Sequence, residues 1–117
     1  MFVQTLTMKS YFFLFLAILC ELTGTTFLKK SEGFTKLAPS LITIISMTVA
    51  FYFLSLAIKT IPVGTAYAIW SGVGIVFITF IGAIFFKQIP DAPSIIGILL
   101  IIAGVLIINL FSKGAGH

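Results

Sequence analysis

"IIGILLIIAGVLIINLFS", residues 95–112, runs the length of a helix without one charged side chain. A helix on the surface of a water-soluble protein keeps a polar face. This one has none, and its length matches the roughly 20 apolar residues needed to cross a bilayer core. Working back from it, charged positions cut the chain into four such runs. Lys9 and Lys29 bracket the first, Lys36 and Lys59 the second, Lys59 and Lys87 the third, Asp91 and Lys113 the fourth. The composition agrees: 60% of the residues are hydrophobic and 9% charged, whereas a soluble domain carries about 25% charged residues. Membrane strands are excluded, because the runs are continuous and do not alternate with period two. The spacing predicts an all-α integral membrane protein with four transmembrane helices, near 9–31, 37–58, 60–86 and 92–112, forming one domain over 1–117. A cleaved signal peptide is the alternative for the first run, but its apolar core is too long and contains Glu21.

The connections are short. "SEGFTKLAPS", residues 31–40, places Gly33 as a helix C-cap. In "KTIPVG", residues 59–64, Pro62 can occupy a first helical turn. In "KQIPDAPS", residues 87–94, Asp91 is a natural N-cap with Pro93 early in the helix. The tails "MFVQTLT" (1–7) and "SKGAGH" (112–117) read as disordered, with His117 an inert tail residue. Cys20 is alone, so it forms neither an intrachain disulfide nor a metal cluster, and it reads as a small packing residue. No cofactor, metal or catalytic group is expected.

The net charge of +4 rests on seven lysines and no arginine. They are scattered, which argues against nucleic acid and for membrane–water interfaces. With four spans both termini share a side. That side holds Lys9, Lys59 and Lys113; the other holds Lys29, Lys30, Lys36 and Lys87. Three against four gives the positive-inside rule almost nothing to act on. Insertion in both orientations and a fixed orientation set by a subtler signal both remain open.

Glu21 is the exception inside the runs. Helical rise puts it roughly 15 Å below Tyr11, about halfway through a ~30 Å core. A charge at that depth costs at least ~2.5–3.5 kcal/mol on insertion scales, and no lysine lies within a span to neutralise it. Glu21 is therefore either a neutral acid or an ionised one with a cation beside it. A group that alternates between those states is a proton/cation exchanger. A permanently protonated acid bonded to another helix is the structural alternative, which glutamine would serve at lower cost. Leu14, Ala17, Ile18, Gly24 and Thr25 lie three, four or seven positions from Glu21 and share its face. Ala17 and Gly24 would leave room beside the carboxylate, or equally allow close helix packing. Thr25 can hydrogen-bond it.

In "GTAYAIWSGVG", residues 64–74, Tyr67 and Trp70 are one turn apart and point the same way. Near a carboxylate, such a pair suits a bulky organic cation. The alternative is an interfacial aromatic belt, against which their depth beyond Pro62 argues. Gly64, Ala68 and Gly72 form a small-residue ridge. Gly72 and Gly74 weaken the helix and provide either a bend or close packing.

With "AILCELTGTTFLKKSEGFTKLAPS" (17–40), "IPVGTAYAIWSGVGIV" (61–76) and "IIGILLIIAGVLIINLFS" (95–112), the chain resembles the small multidrug resistance family over nearly all but its tails. It is most similar to the branch that exports quaternary ammonium and polyaromatic cations. The resemblance implies proton-coupled exchange of hydrophobic cations by an antiparallel homodimer of dual topology, multi-pass in the cell's inner (plasma) membrane. It implies Glu21 as the shared proton and substrate site, lined by Trp70, Tyr67 and Tyr11. Leu14, Ala17, Ile18, Thr25, Met47 and Phe51 join that lining. It implies Gly72 and Gly74 as a bend and Gly97 and Gly104 as a dimer seam; their seven-residue spacing independently supports one packing face. Met47 stands where this branch often has a tyrosine, and the residues before Tyr11 have no counterpart. The sister branch, which exports guanidinium-type metabolites, typically has tryptophan three residues after the glutamate, where this chain has Gly24. A non-transporting subunit, or half of a heterodimeric carrier, is the alternative of another class. The chain has no internal repeat, so a second, inverted copy would supply the symmetry many transporters build internally. It would also bring two Glu21 carboxylates together, a repulsion that a bound proton relieves.

Overall fold

The computed structural model describes the backbone of residues 2–111 and the side chains of residues 8–111. Four helices follow in order: α1 (Phe2–Lys30), α2 (Leu37–Ala57), α3 (Val63–Phe85) and α4 (Ala92–Phe111). There is no strand among the described residues. All four are long and apolar enough to cross a membrane, the stretch within α1 being Met8–Lys30.

The boundaries depart from expectation in two places. Phe2–Thr7, read from the sequence as a disordered tail, continues α1 as helix. Nothing in that segment breaks a helix: it holds neither proline nor glycine, and a helix already nucleated extends at little cost. At about 1.5 Å per residue α1 is some 43 Å long, more than a ~30 Å core requires. The expectation for "SKGAGH" and His117 lies outside the described residues. The third helix begins at Val63 rather than residue 60, with Pro62 just before it as N-cap (φ −55°, ψ 140°). Proline disfavours helical backbone in the residue ahead of it, so the helix does not extend back through Ile61, and Pro62 itself is extended and caps it.

The chain divides into two compact units, 1–60 and 61–117. In the first, α1 and α2 pack as an antiparallel hairpin. Phe13 stacks on Phe53 with ring centroids 6.0 Å apart, and near the open end Ser10 hydrogen-bonds Thr60. The turn between them is tight and partly left-handed. Glu32, Gly33 and Phe34 have φ of 49°, 73° and 64°, so Gly33 serves the turn itself rather than the helix cap. Buried Ser31 organises it: its hydroxyl donates to the Leu28 carbonyl at 2.7 Å and accepts from the Phe34 N–H at 3.1 Å.

In the second unit α3 packs on α4 through a glycine. A Cβ added at Gly72 would meet Val105 Cγ2 at 3.0 Å, so the absence of a side chain sets how closely the helices approach. The connection closes α3 with Lys87 in the left-handed region (φ 56°) and the Gln88 N–H donating to the Gly82 carbonyl at 2.9 Å. Asp91 then caps α4, accepting from the Ser94 N–H at 2.9 Å. The hydrogen bonds from Ser94 hold its carboxyl below the usual range. Four threonine hydroxyls within the spans are satisfied on their own helices. Thr23, Thr26, Thr48 and Thr79 each donate to the carbonyl four residues back, as a solvent without water demands.

Candidate functional site

Glu21 lies in the middle of the α1 span and is half-buried. Thr25, one turn on, donates its hydroxyl proton to Glu21 Oε1 at 2.6 Å. The i, i+4 spacing places donor and acceptor on one face. Among the described residues the one ion pair is Glu32 with Lys36, at the surface, so no lysine answers Glu21.

Leu14, Ala17 and Ile18, the positions preceding Glu21 on its face, are fully buried. They act as packing around the site's base and present no open wall. At Gly24 the structure takes the close-packing alternative. The space beside it is filled, because a Cβ there would meet Met47 Cε at 3.0 Å and its Sδ at 3.2 Å. The α1–α2 approach uses the missing side chain, and a flexible thioether from α2 takes up the volume. Thr43 fixes that crossing. Its hydroxyl hydrogen is shared between the Pro39 carbonyl at 2.9 Å and the Gly24 carbonyl across the interface at 3.2 Å. Sequence reasoning missed Thr43. The sequence offered no signal for it, because α2 also carries Ser40, Ser46, Thr48 and Ser55 and nothing in the pattern singles out the one that reaches α1. Met47 thus lies against Gly24, while Phe51, on the same helix, is exposed. Tyr11 is more than a third exposed at the upper end of the span.

In the second unit Tyr67 and Trp70 stack, with ring centroids 6.5 Å apart and planes at 28°. Tyr67 is half exposed and Trp70 half-buried. The nearest atom to a Cβ at Gly74 would be Trp70 Cδ1, at 3.8 Å, which seats the indole over a residue without bulk. The helix runs unbroken through Gly72 and Gly74. On α4, a Cβ at Gly97 or Gly104 would meet nothing within 4 Å, and no residue of that helix is buried.

Four helices apolar enough to cross a membrane, with one carboxylate inside the span of α1, define a small multi-pass membrane protein. The profile of the small multidrug resistance proteins matches residues 9–101, and the chain belongs to that family. It is 53% identical to the quaternary ammonium compound-resistance protein QacE of Escherichia coli and 54% identical to the multidrug transporter EmrE of E. coli strain K12. Each match spans 110 residues, 94% of this chain and all of the relative. It is also 50% identical to the quaternary ammonium compound-resistance protein QacG of a Staphylococcus species, over 88% of this chain and 96% of that one.

Proposed function

We propose that this protein exports hydrophobic and quaternary ammonium cations in exchange for protons, with Glu21 as the site both ligands share. The reading rests on one observation: a carboxylate at mid-span, half-buried, with a hydroxyl donor and no cation of its own. Such a group is neutral only when protonated and is compensated as an anion only by an added cation. Binding one ligand therefore displaces the other. Tyr67 and Trp70 supply the faces for the organic part of the cation, worth about 2 kcal/mol for a desolvated contact. The two units act together as one four-helix domain. The working form is an antiparallel homodimer in the plasma membrane, favoured by the near balance of lysines and by the open glycine face of α4. Resistance to quaternary ammonium compounds, printed in the names of its relatives, is the activity such exchange would confer.

The test is proton-driven uptake into proteoliposomes with tetraphenylphosphonium, ethidium, small aliphatic ammonium ions and guanidinium. Uptake of the bulky cations, abolished by Glu21→Gln with helix content unchanged, is the expected outcome. Guanidinium alone being carried would assign the chain to its sister branch's activity. Undiminished transport by Glu21→Gln would refute the site.

A further inference from the structure

The end of α1 carries charge that the chain leaves unanswered. Lys29 and Lys30 form the last turn of the first span. Lys36, beyond the turn, is paired with Glu32 at 3.5 Å. No carboxylate lies within ion-pair distance of Lys29 or Lys30 among the described residues. Lys30 is anchored by an apolar partner instead: its ammonium stands 5.1 Å from the centre of the Phe27 ring. Both cations sit where a spanning helix ends, which is the depth of lipid headgroups.

The same end exposes large apolar side chains. Leu28 is 37% exposed, Phe34 55% and Leu37 75%. Phe34 also has φ of 64°, a conformation uncommon for an aromatic residue. The turn holds it there through its N–H bond to buried Ser31. An exposed phenyl in the turn that follows two ammonium groups without a carboxylate partner among the described residues fits a ligand that is anionic at one end and hydrocarbon at the other. Free phosphate would leave the apolar half of this surface unused, and a neutral lipid would leave the charge uncompensated.

We infer that the last turn of α1 and the α1–α2 turn bind an anionic phospholipid, its phosphate held by Lys29 and Lys30 and its acyl chains lying against Leu28, Phe34 and Leu37. The surface lies apart from Glu21 and requires only that α1 spans the membrane.

Native mass spectrometry of the full-length protein, released from micelles containing phosphatidylglycerol and phosphatidylcholine, tests this. The wild-type chain should retain phosphatidylglycerol in preference. The double substitution Lys29→Gln with Lys30→Gln should lower that preference about fivefold for each lysine. Lys29→Arg with Lys30→Arg should keep it, which separates charge from folding. Phe34→Ala should weaken retention of both lipids while leaving their ratio intact. Lys59→Gln, at the far end of α2, should change nothing. The inference is overturned if the doubly neutralised variant keeps the full preference, or if Lys59→Gln erases it equally. It is also overturned if glycerol 3-phosphate competes as effectively as the lipid, since the surface would then be a simple anion site.

Discussion

At Glu21 the neighbouring side chain is a hydroxyl donor and not a cation. The Thr25 hydroxyl donates to Oε1 and so holds the carboxylate in place for the organic cation proposed to meet it. Thr25→Val keeps the shape and removes the donor. Since bonds to charged groups are worth about 1.5–3 kcal/mol, it should weaken tetraphenylphosphonium binding about tenfold at neutral pH, while Thr25→Ser should not. Equilibrium binding in detergent measures the difference. The bond was legible in the sequence, because helix periodicity alone puts residues 21 and 25 on one face. The occupancy of the space beside Gly24 was not. Periodicity says which residues share a face of α1 but not which side chain of α2 lies opposite, and Met47 was visible there only as a departure from a family pattern.

Among the elements, two glycines make contrasting contacts. Gly24 faces the end of a flexible methionine side chain, and Gly72 faces a valine at both Cγ2 and Cβ. Alanine gains about 1 kcal/mol over glycine in a helix interior. At residue 24 the thioether can shift, so Gly24→Ala should be near neutral. At residue 72 the β-branched neighbour has few rotamers to escape into, and overpacking of about 1–3 kcal/mol should exceed the gain. Gly72→Ala should therefore be the less stable by about 1–2 kcal/mol in denaturant titrations, with Val105→Ala restoring it. The four spans themselves were plain from charge spacing. The errors fell at ends, where α1 extends through residues that carry no stop signal, and where Pro62 sets the start of α3.

For the molecule as a whole, the proposed assembly can be tested on α4. Within the chain Gly97 and Gly104 have open space around them, so Gly97→Ala and Gly104→Ala should preserve the fold and slightly raise its helicity. If that face is the seam between two copies, both substitutions should nonetheless weaken self-association in bilayers by about tenfold or more, because close backbone approach needs small residues. Energy-transfer measurements between labelled copies would detect it. No single chain can reveal this seam; the sequence could offer only the seven-residue spacing.

The central claim, that proton and substrate compete for Glu21, is tested most directly by calorimetry. Tetraphenylphosphonium binding is measured from about pH 5 to pH 9 in buffers of differing ionisation enthalpy. Because linkage is reciprocal, affinity should fall as the pH drops through the titration of the carboxylate, and binding near and below that point should release protons to the buffer. Glu21→Gln should abolish both effects. An affinity independent of pH, with no proton released, would contradict the account.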